Sequence, residues 1–231
     1  MKPAAARIGT RGSALALAQV QVVAGRLRQL GFGVEVVTIS TQGDRARSKG
    51  SMMLERGAFV KDLEAALLSG EVDLAVHSAK DLPVEIAGGT ELAAFPPRGD
   101  ARDVLVSRGD LPLSALAPGA RVGTESPRRR AFVRLERPDL VVEPVRGNVD
   151  TRLARLDAGE RDALVVAAAG LARLGLAGRI AETFAADRMV PAVGQGALAV
   201  QARAGDPWAG RASRMDDRPT RVAVDAERAF L

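Results

Sequence analysis

The 231-residue sequence has no cysteine and no tyrosine, and it has one tryptophan and one histidine, His77. Without a thiol there is no disulfide, no thiolate nucleophile and no cysteine-bound zinc. One histidine is too few for a His-based metal centre, and nothing suggests a Ser-His-Asp triad. Aromatic residues make up only 3% of the chain, which removes the stacking platforms that hold single-stranded nucleic acid. Lysine is scarce as well. Lys2, Lys49, Lys61 and Lys80 are the four among 33 basic residues, so arginine carries the net charge of +5. Arginine offers a planar fork that matches carboxylates and phosphates. No apolar run approaches the ~18 residues of a membrane span, and residues 1–7 form no signal-peptide core. The expectation is a cytoplasmic monomer with neither membrane nor nucleic acid as partner.

What the chain does contain is a repeat. Arg7-Ile8-Gly9-Thr10 returns as Arg121-Val122-Gly123-Thr124, and Gly70-Glu71-Val72-Asp73 returns as Gly159-Glu160-Arg161-Asp162. Between the markers each copy holds a further apolar segment, 34–39 and 140–145. Each half therefore reads strand, helix, strand, helix, strand, the alternation of an α/β domain with a mainly parallel sheet. Two Pro- and Gly-rich joints, 95–100 and 190–196, divide the chain. The expected domains are 1–97 with 195–217, then 98–194. The strand 197–202 is expected to return to the first sheet, giving two hinged domains around a cleft.

In open α/β sheets, ligands gather at the carboxyl ends of the strands. Several arginines fall there. Arg11 precedes Ser13, a good helix N-cap. Ser126-Pro127 reads as N-cap and first helical position, with Arg128, Arg129 and Arg130 in the first turn. A cation at a helix N-terminus is unfavourable by ~0.3–1 kcal/mol unless an anion joins it. Arg146 and Arg152 flank a Gly147-Asn148 turn where Asp150 can cap a helix, and Arg173 is expected near the start of a further helix. Asp81 differs. It follows the strand 72–76 beside Lys80, and it either balances that lysine or faces a positive charge or a proton on a ligand.

These segments resemble the porphobilinogen deaminase family. The resemblance is carried by Arg7-Ile8-Gly9-Thr10-Arg11-Gly12-Ser13 with Gln19, by Phe59-Val60-Lys61-Asp62, and by Val76-His77-Ser78-Ala79-Lys80-Asp81-Leu82-Pro83. Later come Thr124-Glu125-Ser126-Pro127-Arg128-Arg129, Arg146-Gly147-Asn148-Val149-Asp150-Thr151-Arg152, Ala169-Gly170-Leu171-Ala172-Arg173 and Pro191-Ala192-Val193-Gly194-Gln195-Gly196, all in the family's order over residues 7–231. The resemblance implies head-to-tail joining of four porphobilinogen units into hydroxymethylbilane, with ammonia released at each step. Growth occurs on a covalent dipyrromethane cofactor. It implies that Asp81 is the catalytic carboxylate. It also implies that Arg11, Ser13, Gln19, Ser78, Lys80, Thr124, Ser126, Arg128, Arg129, Arg146, Gly147, Asn148, Arg152, Arg173 and Gln195 hold the carboxylates of cofactor and pyrrole chain. The segment 42–57 then reads as a lid, with Arg56 and Phe59 as candidate contacts.

The family carries its cofactor by a thioether to a cysteine in a third domain. Here 218–231 reads as the start of such a domain, and no cysteine exists to bear the group. The expectations are that no dipyrromethane is covalently attached and that this form alone is inactive. The other reading is a non-catalytic two-domain anion binder of the periplasmic-binding-protein type, an architecture the family is held to share.

Overall fold

The computed structural model describes residues 5–41 and 60–231. Contacts divide the chain into two units, Met1–Gly99 with Val193–Leu231, and Asp100–Ala192. The chain opens with β1 (Ala5–Thr10), α1 (Ala14–Gln29), β2 (Gly33–Thr38), α2 (Lys61–Leu68), β3 (Leu74–Ser78) and β4 (Thr90–Ala94). The second unit follows as β5 (Asp103–Ser107), β6 (Arg121–Gly123), α3 (Pro127–Glu136), β7 (Val141–Glu143), α4 (Val149–Asp157), β8 (Ala163–Ala167), α5 (Ala168–Arg173) and β9 (Glu182–Thr183). The chain then returns to the first unit with β10 (Leu198–Arg203), α6 (Pro207–Ala212) and α7 (Arg218–Ala229). The segment 218–231, read from sequence as opening a third domain, groups with the first unit.

The sheets share one plan. Their strand orders are β2-β1-β3-β10-β4 and β7-β6-β8-β5-β9. In the first, β1 runs parallel to β2 and β3, while β10 is antiparallel to β3 and β4. In the second, β6 runs parallel to β7 and β8, while β5 is antiparallel to β8 and β9. Each sheet thus takes one antiparallel strand in fourth place. In each case it is the first strand after the chain has crossed from the other unit. The mainly parallel α/β class and the return of the last strand to the first sheet are as the sequence implies. The antiparallel position of that strand is the addition.

The repeated markers have a physical cause. The Arg7 N–H donates to Asp73 Oδ2 at 2.9 Å, and the Asp73 N–H returns a bond to the Arg7 carbonyl at 2.8 Å. In the second unit the Arg121 N–H donates to Asp162 Oδ2 at 2.7 Å, and the Asp162 N–H bonds the Arg121 carbonyl at 2.9 Å. The same reciprocal clasp therefore starts the first and third strands of each half in register. Burial raises the Asp73 carboxyl, but bonds from Arg7 outweigh it and hold the pKa below the usual value. Period-2 burial then covers both faces of each sheet. Leu74 and Val76 join one apolar cluster while Ala75 joins another. Likewise Ala163 and Val165 point to one side of the second sheet, and Leu164 and Val166 to the other. Among the described residues no helix is long and apolar enough to cross a membrane.

Candidate functional site

In the first unit the candidate residues gather after β1 and β3, which are parallel neighbours and so end on the same side. Ser13 caps α1, accepting a hydrogen bond from the Ala16 N–H at 3.3 Å. This leaves half-buried Arg11 immediately before the helix. Gln19, buried one turn further on, donates from Nε2 to Ser78 Oγ at 2.7 Å, tying α1 to the end of β3. Beneath them lies His77, 5% exposed. Burial pushes its pKa down to about 4, which the Glu64 carboxylate and Gln201 oppose and the charge of Arg11 reinforces. His77 is neutral at ordinary pH and takes no part as a cation.

Beyond Ser78 the backbone makes a single 3₁₀ turn, Ala79–Asp81. Ala79 is buried, whereas Lys80 and Asp81 are exposed. No hydrogen bond or ion pair joins the Asp81 carboxylate to any described residue, so it is not the neutralising partner of Lys80. The backbone that carries it is fixed from both sides. The Ala79 N–H donates to the Ala197 carbonyl at 3.1 Å. Gly194, at φ +68°, comes so close that a Cβ there would lie 2.9 Å from the Ala79 carbonyl carbon and 3.0 Å from the Lys80 nitrogen. After the turn, Arg228 of α7 donates to the Pro83 and Val84 carbonyls at 2.8 and 2.7 Å. Its neighbour Glu227 accepts from the Gly194 N–H at 2.7 Å and pairs with Arg98 at 2.6 Å. Arg98 in turn donates from Nε to the carbonyl of Gln195, whose residue is fully buried, at 2.9 Å.

The second unit repeats the plan with more cations. Ser126 caps α3, accepting from the Arg129 N–H at 3.4 Å, and Pro127 occupies the first turn. Thr124, fully buried, accepts from the Ser126 N–H at 3.3 Å. Arg129 is turned inward and 7% exposed. Its Nε and Nη2 lie 2.8 Å from Asp103 Oδ1, and Nη1 donates to the Val165 carbonyl at 3.2 Å. Arg128 lies outside it, donating from Nη1 to the Val190 carbonyl at 2.7 Å. The same atom is 2.6 Å from Asp103 Oδ2, an ion-pair distance without hydrogen-bonding orientation. Arg146, exposed, pairs with Glu125 at 3.2 Å. Arg152 donates from Nε to the Gly147 carbonyl at 2.9 Å. Gly147 has φ +110°, and a Cβ would meet Thr151 at 2.9 Å, so glycine is required at this turn.

Two local readings change. The N-cap of α4 is Asn148, without a side-chain capping bond, and Asp150 lies within the first turn. Arg173 ends α5 instead of starting it. A cation suits a helix C-terminus, so Arg173 needs no anion to offset its position. Burial lowers the pKa of Arg173. Lid candidates Arg56 and Phe59 lie outside the described residues. Four residues escaped sequence reasoning: Asp103, Arg98, Glu227 and Arg228. None sits in a motif, and their partners are 25 to 145 positions away in sequence. The inward-facing charge of Asp103 at the head of an apolar strand was the one available signal. Among the described residues no group of three acidic or histidine side chains could hold a metal.

The family profile described as "Porphobilinogen deaminase, dipyromethane cofactor binding domain" matches residues 6–210. The chain belongs to the porphobilinogen deaminase family. A porphobilinogen deaminase from Acidothermus cellulolyticus is 51% identical over 231 residues, covering 97% of this chain and 70% of that relative. One from Thermus thermophilus is 49% identical, covering 97% and 74%. Among solved structures, a nutrient binding protein from Burkholderia cenocepacia bound to methionine superposes with TM-score 0.55 at 16% identity, covering 93% of this chain and 92% of the other. At that identity the likeness concerns the fold alone, which is of the solute-binding-protein kind.

Proposed function

We propose that this chain handles porphobilinogen as a porphobilinogen deaminase does, and that, once given a cysteine to carry the cofactor, it joins four units head to tail into hydroxymethylbilane and releases ammonia at each step of this tetrapyrrole synthesis. The observation that carries the reading is Asp81. Its carboxylate is exposed and without an ionic partner among the described residues, on a turn held by Gly194 and Arg228. Porphobilinogen bears two carboxylates and an aminomethyl group. Departure of ammonia leaves a cation, and a fixed carboxylate stabilises charge that develops there. Within the first unit Arg11 and Lys80 supply charge opposite to that of the carboxylates, and the second unit carries its own cations of this kind in Arg128, Arg146 and Arg152.

Dipyrromethane, named in the family description, is also a polycarboxylate. Arg11 in the first unit, and Arg128 and Arg146 in the second, are each of the chemistry that pairs with a carboxylate, while inward-facing Arg129 shares Asp103 with Arg128. For the covalent link the 231 residues offer no thiol. When bound, the group supplies the pyrrole end on which the chain is lengthened.

A simple anion binder of the same fold gains nothing from Asp81, because that charge repels its ligand. Calorimetry separates the two readings. Asp81→Asn should weaken porphobilinogen binding by about tenfold, the scale of one charge contact of 1.4 kcal/mol, and leave inorganic sulfate binding equal or tighter. Tighter binding of both ligands would favour the anion binder.

A further inference from the structure

We infer that Asp103 sets the charge of the Arg128–Arg129 pair, and through it the kind of anion that the start of α3 accepts. This rests on the reading that Arg128 meets a ligand carboxylate. Asp103 itself is fully buried and touches no ligand; it is a positioning residue.

A carboxylate at 0% exposure needs cationic partners, since an isolated buried charge costs several kcal/mol. Two guanidinium groups share this one. Arg129 takes Oδ1 and is locked by the Val165 carbonyl, so its plane is fixed by β5 and β8. Arg128 lies at Oδ2 with 30% of its side chain still exposed. These three side chains carry one net positive charge, and the exposed part of it is on Arg128. Without Asp103, two guanidinium groups would crowd one helix N-terminus, a place that favours anions by itself. Such a pair would suit a doubly charged oxyanion. With Asp103 between them, the same place suits a single carboxylate. Burial already disfavours the charged form of Arg129, with Asp103 restoring it and Arg128 opposing it, so the three groups depend on one another.

The test uses inorganic sulfate and propionate, each followed by the Nε–H signal of Arg128 and by calorimetry. Asp103→Asn keeps the shape and removes the opposing charge. Sulfate affinity should rise by about tenfold or more, and propionate affinity by less. Arg129→Met should act in the other direction. It leaves Asp103 to neutralise Arg128 alone, and sulfate affinity should fall by about tenfold although Arg129 scarcely reaches the surface. A purely structural role predicts lower stability with unchanged anion affinity in both folded variants, and that result would overturn the inference. If Asp103→Asn does not fold, Arg129→Met decides alone. Failure of the wild type to bind porphobilinogen would count against the proposed function and leave the sulfate comparison standing.

Discussion

His77 ties residue chemistry to stability. It is neutral in the fold because burial pushes its pKa to about 4, while an unfolded chain would titrate it near 6.5. Between those values the unfolded state binds the extra proton, so stability is lost as pH falls from about 6.5 towards 4. The full loss is about 3 kcal/mol. Urea unfolding at pH 7 and pH 4.5 should show this slope in the wild type and a flatter one in His77→Gln; equal slopes would place the acid sensitivity elsewhere. At this scale the sequence was partly legible. Ser13 and Ser126 cap helices as their positions imply. Arg128 and Arg129 looked equivalent as neighbours in one turn, yet α-helical spacing points them in different directions. Only the fold shows that Asp103 draws one of them inward.

At the scale of elements, the Asp81 turn is held by segments whose sequence reads as a joint and as the start of a third domain. Gly194 belongs to the Gly-rich joint, and Arg228 lies in the last turn of α7. Adding a methyl group at position 194 combines positive φ with a backbone approach of 2.9 Å. Gly194→Ala should therefore cost about 2 kcal/mol. Amide exchange should speed at Leu82, whose N–H closes the turn on the Ala79 carbonyl, while Ile8 stays protected. Uniform acceleration would instead indicate global destabilisation with no special hold on the turn. The repeat made the parallel strands readable, because the Arg–Asp clasp leaves a mark in both halves. Strands β4, β5 and β9 went unread. They lie outside the repeated markers, and β9 is only two residues long. What distinguishes β5 is its antiparallel pairing with β8, 60 positions away.

For the whole molecule, the chain crosses between units twice, and each crossing delivers an antiparallel strand to the sheet it enters. The duplication was legible because identical clasps need identical residues; the exchange of strands was not, because pairing between distant segments leaves no local pattern. The lack of cysteine bears on the molecule as a whole. Protein made from these 231 residues should give no pyrrole colour with Ehrlich's reagent after denaturation and desalting, whereas retained colour would mean attachment through another side chain. In the proposed function Asp81 acts on the chemistry of porphobilinogen and not on the fold. The most direct measurement is ammonia release from porphobilinogen by this chain joined to a cysteine-bearing C-terminal domain of the family, as wild type and as Asp81→Asn. Turnover is expected in the wild type, with a loss of ~10²–10³-fold in the variant at a similar melting temperature. An Asn variant that melts much earlier yet releases ammonia at the wild-type rate would make Asp81 a structural residue and remove its role in the reaction.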